Sequence, residues 1–371
     1  MLVDFQIFLD AIALVQGVVF GVLLMVLNKS KRKSCFFLGL FVLFFSLKLV
    51  HYISRSLVLQ GDYSELLLLP FNFSWLIFPL FLIYTHQVSV FANRRPPYWT
   101  LLPGIMVVLI QVYIFFLPFA TKLTISADPL HDFFFTYIGI YYSWIIALWN
   151  LKLLYQHRTE VSNSFSQIEA KELHWARIFL IYSLVSSLLI HILYYIAPTN
   201  IYFKILFSTF DLFTIYWTVF HGISQRNVIA VLNNQHADIG LNIKLTHQAS
   251  TTGASDMAMQ RLADQIDEHV ITSKAYVASN LTIIDLSETL KIHPRRLSTA
   301  INSARKQNFN TYINQFRIKK AIEFLKSSDQ NKYSVEGIGT EVGFNSKSAF
   351  YAAFKKVTGT TPIKYKEILV P

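Results

Sequence analysis

Long runs of apolar residues alternate with short polar loops over the first part of the chain. An α-helix needs about 20 apolar residues to cross the hydrocarbon core of a bilayer. Seven stretches reach about this length, over approximately 5–28, 35–58, 66–91, 98–119, 133–155, 175–197 and 201–223. The pattern predicts a bundle of seven transmembrane helices. Because proline removes a backbone donor, Pro70 and Pro79 predict a kink in the third helix.

From about residue 260 the apolar positions recur at the spacing of short amphipathic helices. The first of these helices has an apolar face formed by Leu262, Ile266 and Val270. Thr282 and Asp285 have the spacing of a capping box, which indicates the start of a second helix. Pro294 stands in the first-turn position that proline favours and begins a third. Two short helices joined by a tight turn predict a helix-turn-helix.

The same pattern recurs after a long helix predicted over about 309–327. Ser334 and Ser346 can cap the next two short helices, and Gly343 between them permits the positive φ of a tight turn. The expected apolar positions are Tyr312, Ile313, Phe316, Ile318, Ala321, Ile322, Leu325, Val335, Ile338, Val342, Ala349, Phe350, Ala353 and Phe354. The sequence therefore predicts a second helix-turn-helix.

Charge divides the chain at the same place. Residues 1–257 carry 16 Lys and Arg against 12 Asp and Glu, whereas residues 258–371 carry 17 against 10. A basic polar module indicates nucleic acid or an anionic membrane surface as its partner. We predict an all-α fold in three parts: a transmembrane domain over 1–226, a flexible linker over 227–257 and a helix-turn-helix domain over 258–371.

The short loops indicate the orientation, since Lys and Arg are retained in the cytoplasm. Basic residues follow the first, third and fifth stretches, at Lys29, Lys31, Arg32, Lys33, Arg94, Arg95, Arg158, Lys171 and Arg177. The opposite loops are mainly acidic, with Asp62, Glu65, Asp128 and Asp132 against Lys122. We therefore expect a multi-pass protein of the cell (inner) membrane, with its N-terminus outside and residues 258–371 in the cytoplasm.

Two sequence runs carry a family resemblance. IxxEVGFNSKSAFYAAFKKVTGTTPIKY is similar to the C-terminal signature of AraC/XylS-type DNA-binding domains, and NFNTYINQFRIKKAIEFL resembles the linker helix of that family. The resemblance covers 258–371 and implies two recognition helices in successive major grooves of double-stranded DNA. The whole arrangement resembles the membrane-bound AraC-type regulators of bacteria. Soluble members carry a cupin domain in the sensory position, so their sugar binding and dimer interface are not implied here.

The family pattern also implies which residues contact DNA. The expected base readers and their neighbours on the exposed faces are Arg295, Arg296, Ser298, Thr299 and Asn302 in the first motif and Lys347, Ser348 and Tyr351 in the second. Arg and Lys suit guanine O6 and N7, while Ser and Tyr can reach a base edge or a phosphate. Arg305, Lys355 and Lys356 are better placed for phosphates. The alternative for each basic residue is an ordinary solvated charge.

Several ionisable residues interrupt the apolar stretches, where they are costly and usually face the bundle interior. The second stretch has one polar face formed by Lys48, His51, Tyr52 and Arg55. The sixth has Ser183, Ser187 and His191, and the seventh has Lys204, Ser208, Asp211, Thr214 and Thr218. Lys48 and Asp211 both lie roughly 15 Å deep, which predicts an ion pair between them. The alternative is that the Lys48 side chain extends outward to the membrane surface and Asp211 is protonated. These stripes predict either a site for a small-molecule or ion signal or polar packing that fixes helix register.

Gly17 and Gly21 have the small-xxx-small spacing that lets helices approach closely. They are a candidate contact for a homodimer. Cys35 is the only cysteine, which excludes an internal disulfide and a Cys-based zinc cluster. No metal or cofactor is predicted.

Taken together, these patterns predict a membrane-embedded transcription regulator that binds DNA in response to a signal perceived by the bundle. The alternative is a transporter or channel carrying a DNA-binding appendage. Short loops and the lack of paired interrupted helices give that alternative little support. An intramembrane enzyme is disfavoured, because the sequence has no HExxH helix, nucleophile elbow or phosphate loop.

Overall fold

The computed structural model describes residues 2–26, 33–59, 64–169, 171–197, 200–225, 256–326 and 334–369. The described residues form helices and their connections, and the β-type pairing among them is one isolated antiparallel bridge between Phe165 and Thr282. The predicted all-α fold class is confirmed. The predicted linker lies outside the described residues up to 255.

The chain divides into two compact units. The first unit comprises Met1–His157 and Leu173–Leu241, and the second comprises Arg158–Glu172 and Asn242–Pro371. The second unit therefore includes a short segment, Arg158–Glu172, that lies far from the rest of it in sequence. The apolar pattern alone predicts this segment within the transmembrane domain over 1–226, because it lies between two apolar stretches.

The first unit is built from long apolar helices. Their bounds are α1 Leu2–Val26, α2 Lys33–Leu59, α3 Ser74–Val88, α4 Leu102–Phe115, α5 Phe119–Ala127, α6 Pro129–Asp132, α7 Gly139–Ser164, α8 His174–Ile196 and α9 Ile201–Ser224. Short 3-10 turns cover Ser64–Leu66 and Tyr98–Leu101, and a π-helical turn covers Phe133–Ile138.

Among the described residues, six helical stretches are long and apolar enough to cross a bilayer. They are Leu2–Val26, Lys33–Ser54, Tyr98–Phe115, Pro129–Ser164, His174–Leu193 and Ile201–Ser224. Each coincides with a predicted stretch. The helix of the remaining stretch, α3, has 15 residues, which at 1.5 Å per residue is about 22 Å and shorter than a hydrocarbon core of about 30 Å. The count of seven spans therefore stays a prediction.

Pro70 explains why no α-helix runs through the first residues of the predicted stretch over 66–91. Pro70 precedes the helix instead of kinking it, because a residue before proline is disfavoured in the α region and Leu68 already has a φ of 61°. Pro79 does lie inside the helix. The sequence pattern was therefore right about the apolar character of this region and wrong about where its helix begins.

Close packing of α1 on α2 uses the two glycines of the small-xxx-small pair. A Cβ on Gly21 would lie 3.0 Å from the carbonyl oxygen of Gly39, and a Cβ on Gly17 would overlap the side chain of Ser46. The two backbones approach closely because these Cβ atoms are absent. Gly17 and Gly21 are buried within the unit, so they serve packing inside the chain. A homodimer stays a prediction.

The second unit contains seven further helices among its described residues. Their bounds are α10 Asp256–Thr272, α11 Ile283–Leu290, α12 Pro294–Arg305, α13 Phe309–Lys326, α14 Val335–Glu341, α15 Lys347–Thr358 and α16 Pro362–Leu369. Helix α12 packs against α10, α11 and α13, and α15 packs against α13, α14 and α16. Helices α11–α12 and α14–α15 are thus the two predicted helix-turn-helix motifs, joined by α13.

Apolar side chains at the predicted positions form the core of the second motif. The cluster consists of Ile318, Ala321, Leu325, Ile338, Val342, Phe344, Phe350 and Phe354, each at most 3% exposed. Burying one such side chain contributes about 1.5–3 kcal/mol. The capping box of α11 is also confirmed, since Thr282 and Asp285 cap each other's backbone N–H groups.

Candidate nucleic-acid interface

Helix α12 is the recognition helix of the first motif. Pro294 occupies its first turn, and the His293 ring nitrogen Nδ1 accepts a hydrogen bond from the backbone N–H of Arg295 at 3.2 Å. Its buried face consists of Leu297, Ala300 and Ile301. Its opposite face exposes Arg295, Arg296, Thr299 and Asn302, with Ser298 half-buried. This face can present two guanidinium groups and several hydroxyl or amide groups to a DNA groove.

Helix α15 is the recognition helix of the second motif. Ser346 caps it by accepting a hydrogen bond from the backbone N–H of Ala349 at 3.1 Å. The preceding turn requires Gly343, whose φ is 100° and whose Cβ would lie 2.6 Å from the carbonyl oxygen of Val277. Phe350 and Phe354 are buried. The other face exposes Lys347, Ser348, Lys355 and Lys356, with Tyr351 half-buried.

Glu336 of α14 holds two of the expected base readers in place. Its Oε1 lies 2.7 Å from Lys347 Nζ and accepts a hydrogen bond from the Tyr351 hydroxyl at 3.1 Å. The hydrogen bond with Lys347 lowers the pKa of Glu336 and raises the pKa of Lys347. An exposed pair of this kind adds little stability, but it orders the Lys347 side chain. The sequence did not single out Glu336.

Arg305 forms salt bridges within the second unit. Its guanidinium lies 2.6 Å from Asp264 Oδ1 and 2.7 Å from Asp267 Oδ2, both on α10. The Tyr312 hydroxyl donates to the other Asp267 oxygen at 2.6 Å. These bonds tie α12 and α13 to α10, which favours a structural role for Arg305 instead of the phosphate contact expected from the sequence.

The two remaining expected phosphate contacts lie at the end of α15. Lys355 and Lys356 are both exposed, and Lys356 Nζ donates to Thr311 Oγ1 at 3.1 Å. Flexible ammonium groups at such a position can neutralise phosphates without reading sequence. Their contact with DNA stays a prediction.

Arg317 of α13 is a fully buried charged side chain that the sequence did not single out. Its Nε donates to the carbonyl oxygen of Tyr276 at 2.7 Å, and Nη2 donates to that of Ala278 at 2.8 Å. Burial lowers its pKa to about 10, which leaves the guanidinium charged at neutral pH. The available signal was its position: Arg317 stands four residues after Ile313 and four before Ala321, on the apolar face of the helix.

Within the first unit, the structure brings Lys48 and Asp211 together. Lys48 Nζ lies 2.9 Å from Asp211 Oδ1, with the two side chains 18% and 21% exposed, as expected from their equal depth. Asp10 of α1, which is 2% exposed, interacts electrostatically with the same lysine. Gln6 donates to Asp10 at 3.0 Å. Lys48 is therefore paired with Asp211, and Asp10, which the apolar pattern did not single out, lies within electrostatic range of the same lysine.

The other four candidate residues of the first unit have different surroundings. His191 lies against Trp144, with ring centroids 6.4 Å apart, and Lys204 is exposed, so neither joins the Lys48 pair in the described part. The side chain of Arg55 lies outside the described residues. His51 lines a cavity of about 210 Å³, together with polar residues that include Asn72, Gln111, His131 and Asp132.

Comparison with known proteins identifies the C-terminal domain. Residues 286–368 match the family model described as a helix-turn-helix domain, which is of the AraC type. No curated protein and no solved structure matches the chain. The match begins within α11 and covers both recognition helices. It indicates a DNA-binding domain of a transcription regulator.

Proposed function

We propose that this protein is a membrane-embedded, one-component transcription regulator. Its apolar helices lie in the cell inner membrane, its AraC-type domain binds specific DNA sequences in the cytoplasm, and a signal perceived by the bundle controls that binding. The observation that carries the proposal is the pairing of two complete helix-turn-helix motifs with six helices long and apolar enough to cross a bilayer, in one chain.

The composition of the second unit supports the proposed orientation. Arg158–Glu172 belongs to that unit, and Phe165 in this segment pairs with Thr282 of the helix-turn-helix domain. The two must then share a side of the membrane. The loop charges put Arg158–Glu172 in the cytoplasm, which is also the compartment of DNA.

Two features of the first unit are candidates for signal perception. The cavity of about 210 Å³ beside His51 is lined by both polar and apolar residues, as small-molecule sites usually are. The Lys48–Asp211 pair adds a charge cluster within the apolar helices, and such clusters are commonly functional. We infer a small-molecule or ion signal acting at one of these features.

Base readers and phosphate contacts should respond differently to mutation. Arg296→Ala and Lys347→Ala are each expected to weaken binding to the cognate duplex by about 1–3 kcal/mol and to relax discrimination at one base pair. The loss for Lys347→Ala should lie at the lower end of this range, because Lys347 must give up its ion pair with Glu336 to contact DNA. Lys356→Ala should weaken binding to all sequences about equally. Fluorescence anisotropy of the purified full chain measures the dissociation constants. The cognate duplex is selected from a random pool, and a scrambled duplex serves as the non-cognate sequence.

Salt dependence provides the control for this series. Loss of the phosphate contact expected for Lys356 should reduce the slope of log K against log salt by about one, equally on the cognate and the scrambled duplex. If all three variants lose the same affinity on both duplexes, the division into base readers and phosphate contacts is wrong.

A further inference from the structure

The segment Arg158–Glu172 is seated in the second unit between its two helix-turn-helix motifs. The backbone N–H of Ser166 donates to the carbonyl oxygen of Leu281 at 3.0 Å, beside the antiparallel bridge of Phe165 and Thr282. Phe165, Ser166 and Gln167 are at most 8% exposed. The middle of the segment, residues 165–167, is thus buried within the second unit.

Side-chain bonds hold the segment to both motifs and to the helix that joins them. Asn310 Nδ2 of α13 donates to the carbonyl oxygen of Ser166 at 2.6 Å, and Arg317 Nη2 donates to Ser166 Oγ at 3.2 Å. Gln167 Nε2 donates to the carbonyl oxygen of Gly343, in the turn of the second motif, at 3.0 Å. The fit is specific, since it satisfies polar groups of the segment that burial has removed from water.

The same segment contacts residues on both DNA-reading faces. The Glu169 carboxylate accepts hydrogen bonds from Ser346 Oγ at 2.8 Å and from Ser348 Oγ at 2.9 Å, at the N-terminus of the second recognition helix. Asn163 Oδ1 accepts one from Asn302 Nδ2 of the first recognition helix at 3.4 Å. Asn302 and Ser348 are two of the residues expected to contact DNA.

A carboxylate at this position opposes DNA in two ways. The N-terminal residues of a recognition helix are those that enter the major groove, so Glu169 occupies space that a base edge or phosphate needs. It also adds a negative charge at a helix end that favours anions, where it would repel the phosphate backbone. DNA and the docked segment therefore compete for one surface.

We propose that Arg158–Glu172 is an autoinhibitory segment that binds to both DNA-reading faces, at Asn302 and at Ser348, and must leave them before the second unit binds DNA. This inference rests on the proposed function. In sequence the segment begins with the last residues of α7, Arg158 to Ser164, and leads to α8. Both helices belong to stretches apolar enough to cross a membrane. A signal that shifts either helix would pull on the segment directly, without requiring the linker over 227–257 to transmit it.

Removing the Glu169 carboxylate is expected to strengthen DNA binding. If the docked form predominates, the apparent dissociation constant is raised in inverse proportion to the fraction of undocked protein. Hydrogen bonds from two hydroxyls to an exposed carboxylate contribute modestly, so we expect Glu169→Ala to bind DNA about three- to tenfold more tightly than the natural chain. The measurement is fluorescence anisotropy of the full chain in lipid nanodiscs with a labelled duplex of random sequence at low salt.

Glu172→Ala is the matched control. It removes the same charge from the same segment, but Glu172 faces Arg158 at 3.4 Å. We expect its affinity for the duplex to stay within about twofold of the natural chain. Equal gains in affinity for Glu169→Ala and Glu172→Ala would indicate a general charge effect and overturn the proposal, and so would no gain in either. If none of the chains binds any duplex, the proposed function itself fails.

Thiol labelling follows the segment independently of affinity. In a Cys35→Ser background, the buried thiol of a Gln167→Cys variant should react slowly with a water-soluble maleimide. Saturating duplex should accelerate the reaction several-fold, because DNA displaces the segment, and Glu169→Ala should accelerate it without DNA. A labelling rate that saturating DNA leaves unchanged overturns the proposal.

Discussion

Replacing Arg317 with alanine is expected to lower the free energy of unfolding of the second unit by about 3–5 kcal/mol. The change leaves the carbonyl oxygens of Tyr276 and Ala278 without the donors they have in the folded chain, and it opens a cavity against the Phe344 ring, 5.4 Å from the guanidinium. An unmade buried hydrogen bond costs about 1–3 kcal/mol. The free energy of unfolding of a small domain is only about 5–15 kcal/mol in total, so this change removes a large share of it.

Pulse proteolysis of the full chain across a urea series would measure this loss, because the midpoint reports when the second unit becomes cleavable. Arg296→Ala is the matched control: it also removes an arginine, but an exposed one, and should change the free energy of unfolding by no more than about 0.5 kcal/mol. Arg317→Lys should fall between the two, since an ammonium keeps the charge but cannot reproduce the fork of donors. Equal midpoints for Arg317→Ala and Arg296→Ala would contradict the structural role of Arg317.

Breaking the Lys48–Asp211 pair should have the second large effect. Removing one partner of a buried pair costs up to about 3–5 kcal/mol, and less here because the side chains are 18% and 21% exposed. We expect Lys48→Met to lower the amount of folded protein in the membrane several-fold or to lock the regulator in one state. Immunoblotting of membrane fractions and a transcriptional reporter measure the two outcomes.

Asp10 makes the two single changes unequal. Lys48→Met leaves the carboxylates of Asp10 and Asp211 without the lysine, whereas Asp211→Leu leaves Lys48 with Asp10 as a neighbouring carboxylate. Lys48→Met should therefore be the more damaging. The exchange Lys48→Asp with Asp211→Lys should recover part of the function. A double variant that is merely the sum of its single changes would show that the two residues are not coupled.

Local patterns predicted much of the second unit. The capping box at Thr282, the helix-capping Ser346 and the turn at Gly343 were all identified from the sequence, because each depends on a few neighbouring residues. The apolar faces of the recognition helices were also predicted correctly. Periodicity reports local structure well, since the apolar face of a helix must be buried whatever it packs against.

Long-range contacts could not be predicted in the same way. The sequence places Arg317 on the apolar face of α13, but its hydrogen-bond acceptors, the carbonyls of Tyr276 and Ala278, are brought to it only by the fold. From the sequence, Arg158–Glu172 is predicted to be a short polar loop. Its place in the second unit depends on contacts with residues more than a hundred positions away, such as that of Gln167 with Gly343. Periodicity contains no information about such partners.

Depth was the one long-range quantity that the sequence supplied. Counting residues along two apolar helices brought Lys48 and Asp211 to the same level, and they lie 2.9 Å apart. Asp10 likewise interrupts the apolar run of the first helix. Ionisable residues in all apolar stretches can be compared by depth in this way, because an unpaired charge in hydrocarbon is costly.

Reporter fusions test the central claim most directly, since it requires apolar helices in the membrane and a DNA-binding domain on the cytoplasmic side. Alkaline phosphatase, which is active only outside the cytoplasm, should be active when fused after Asp62 or Asp128 and inactive after Lys33, Arg95 or His236. Activity of the fusion after His236 would place the helix-turn-helix domain on the side without DNA and contradict the account.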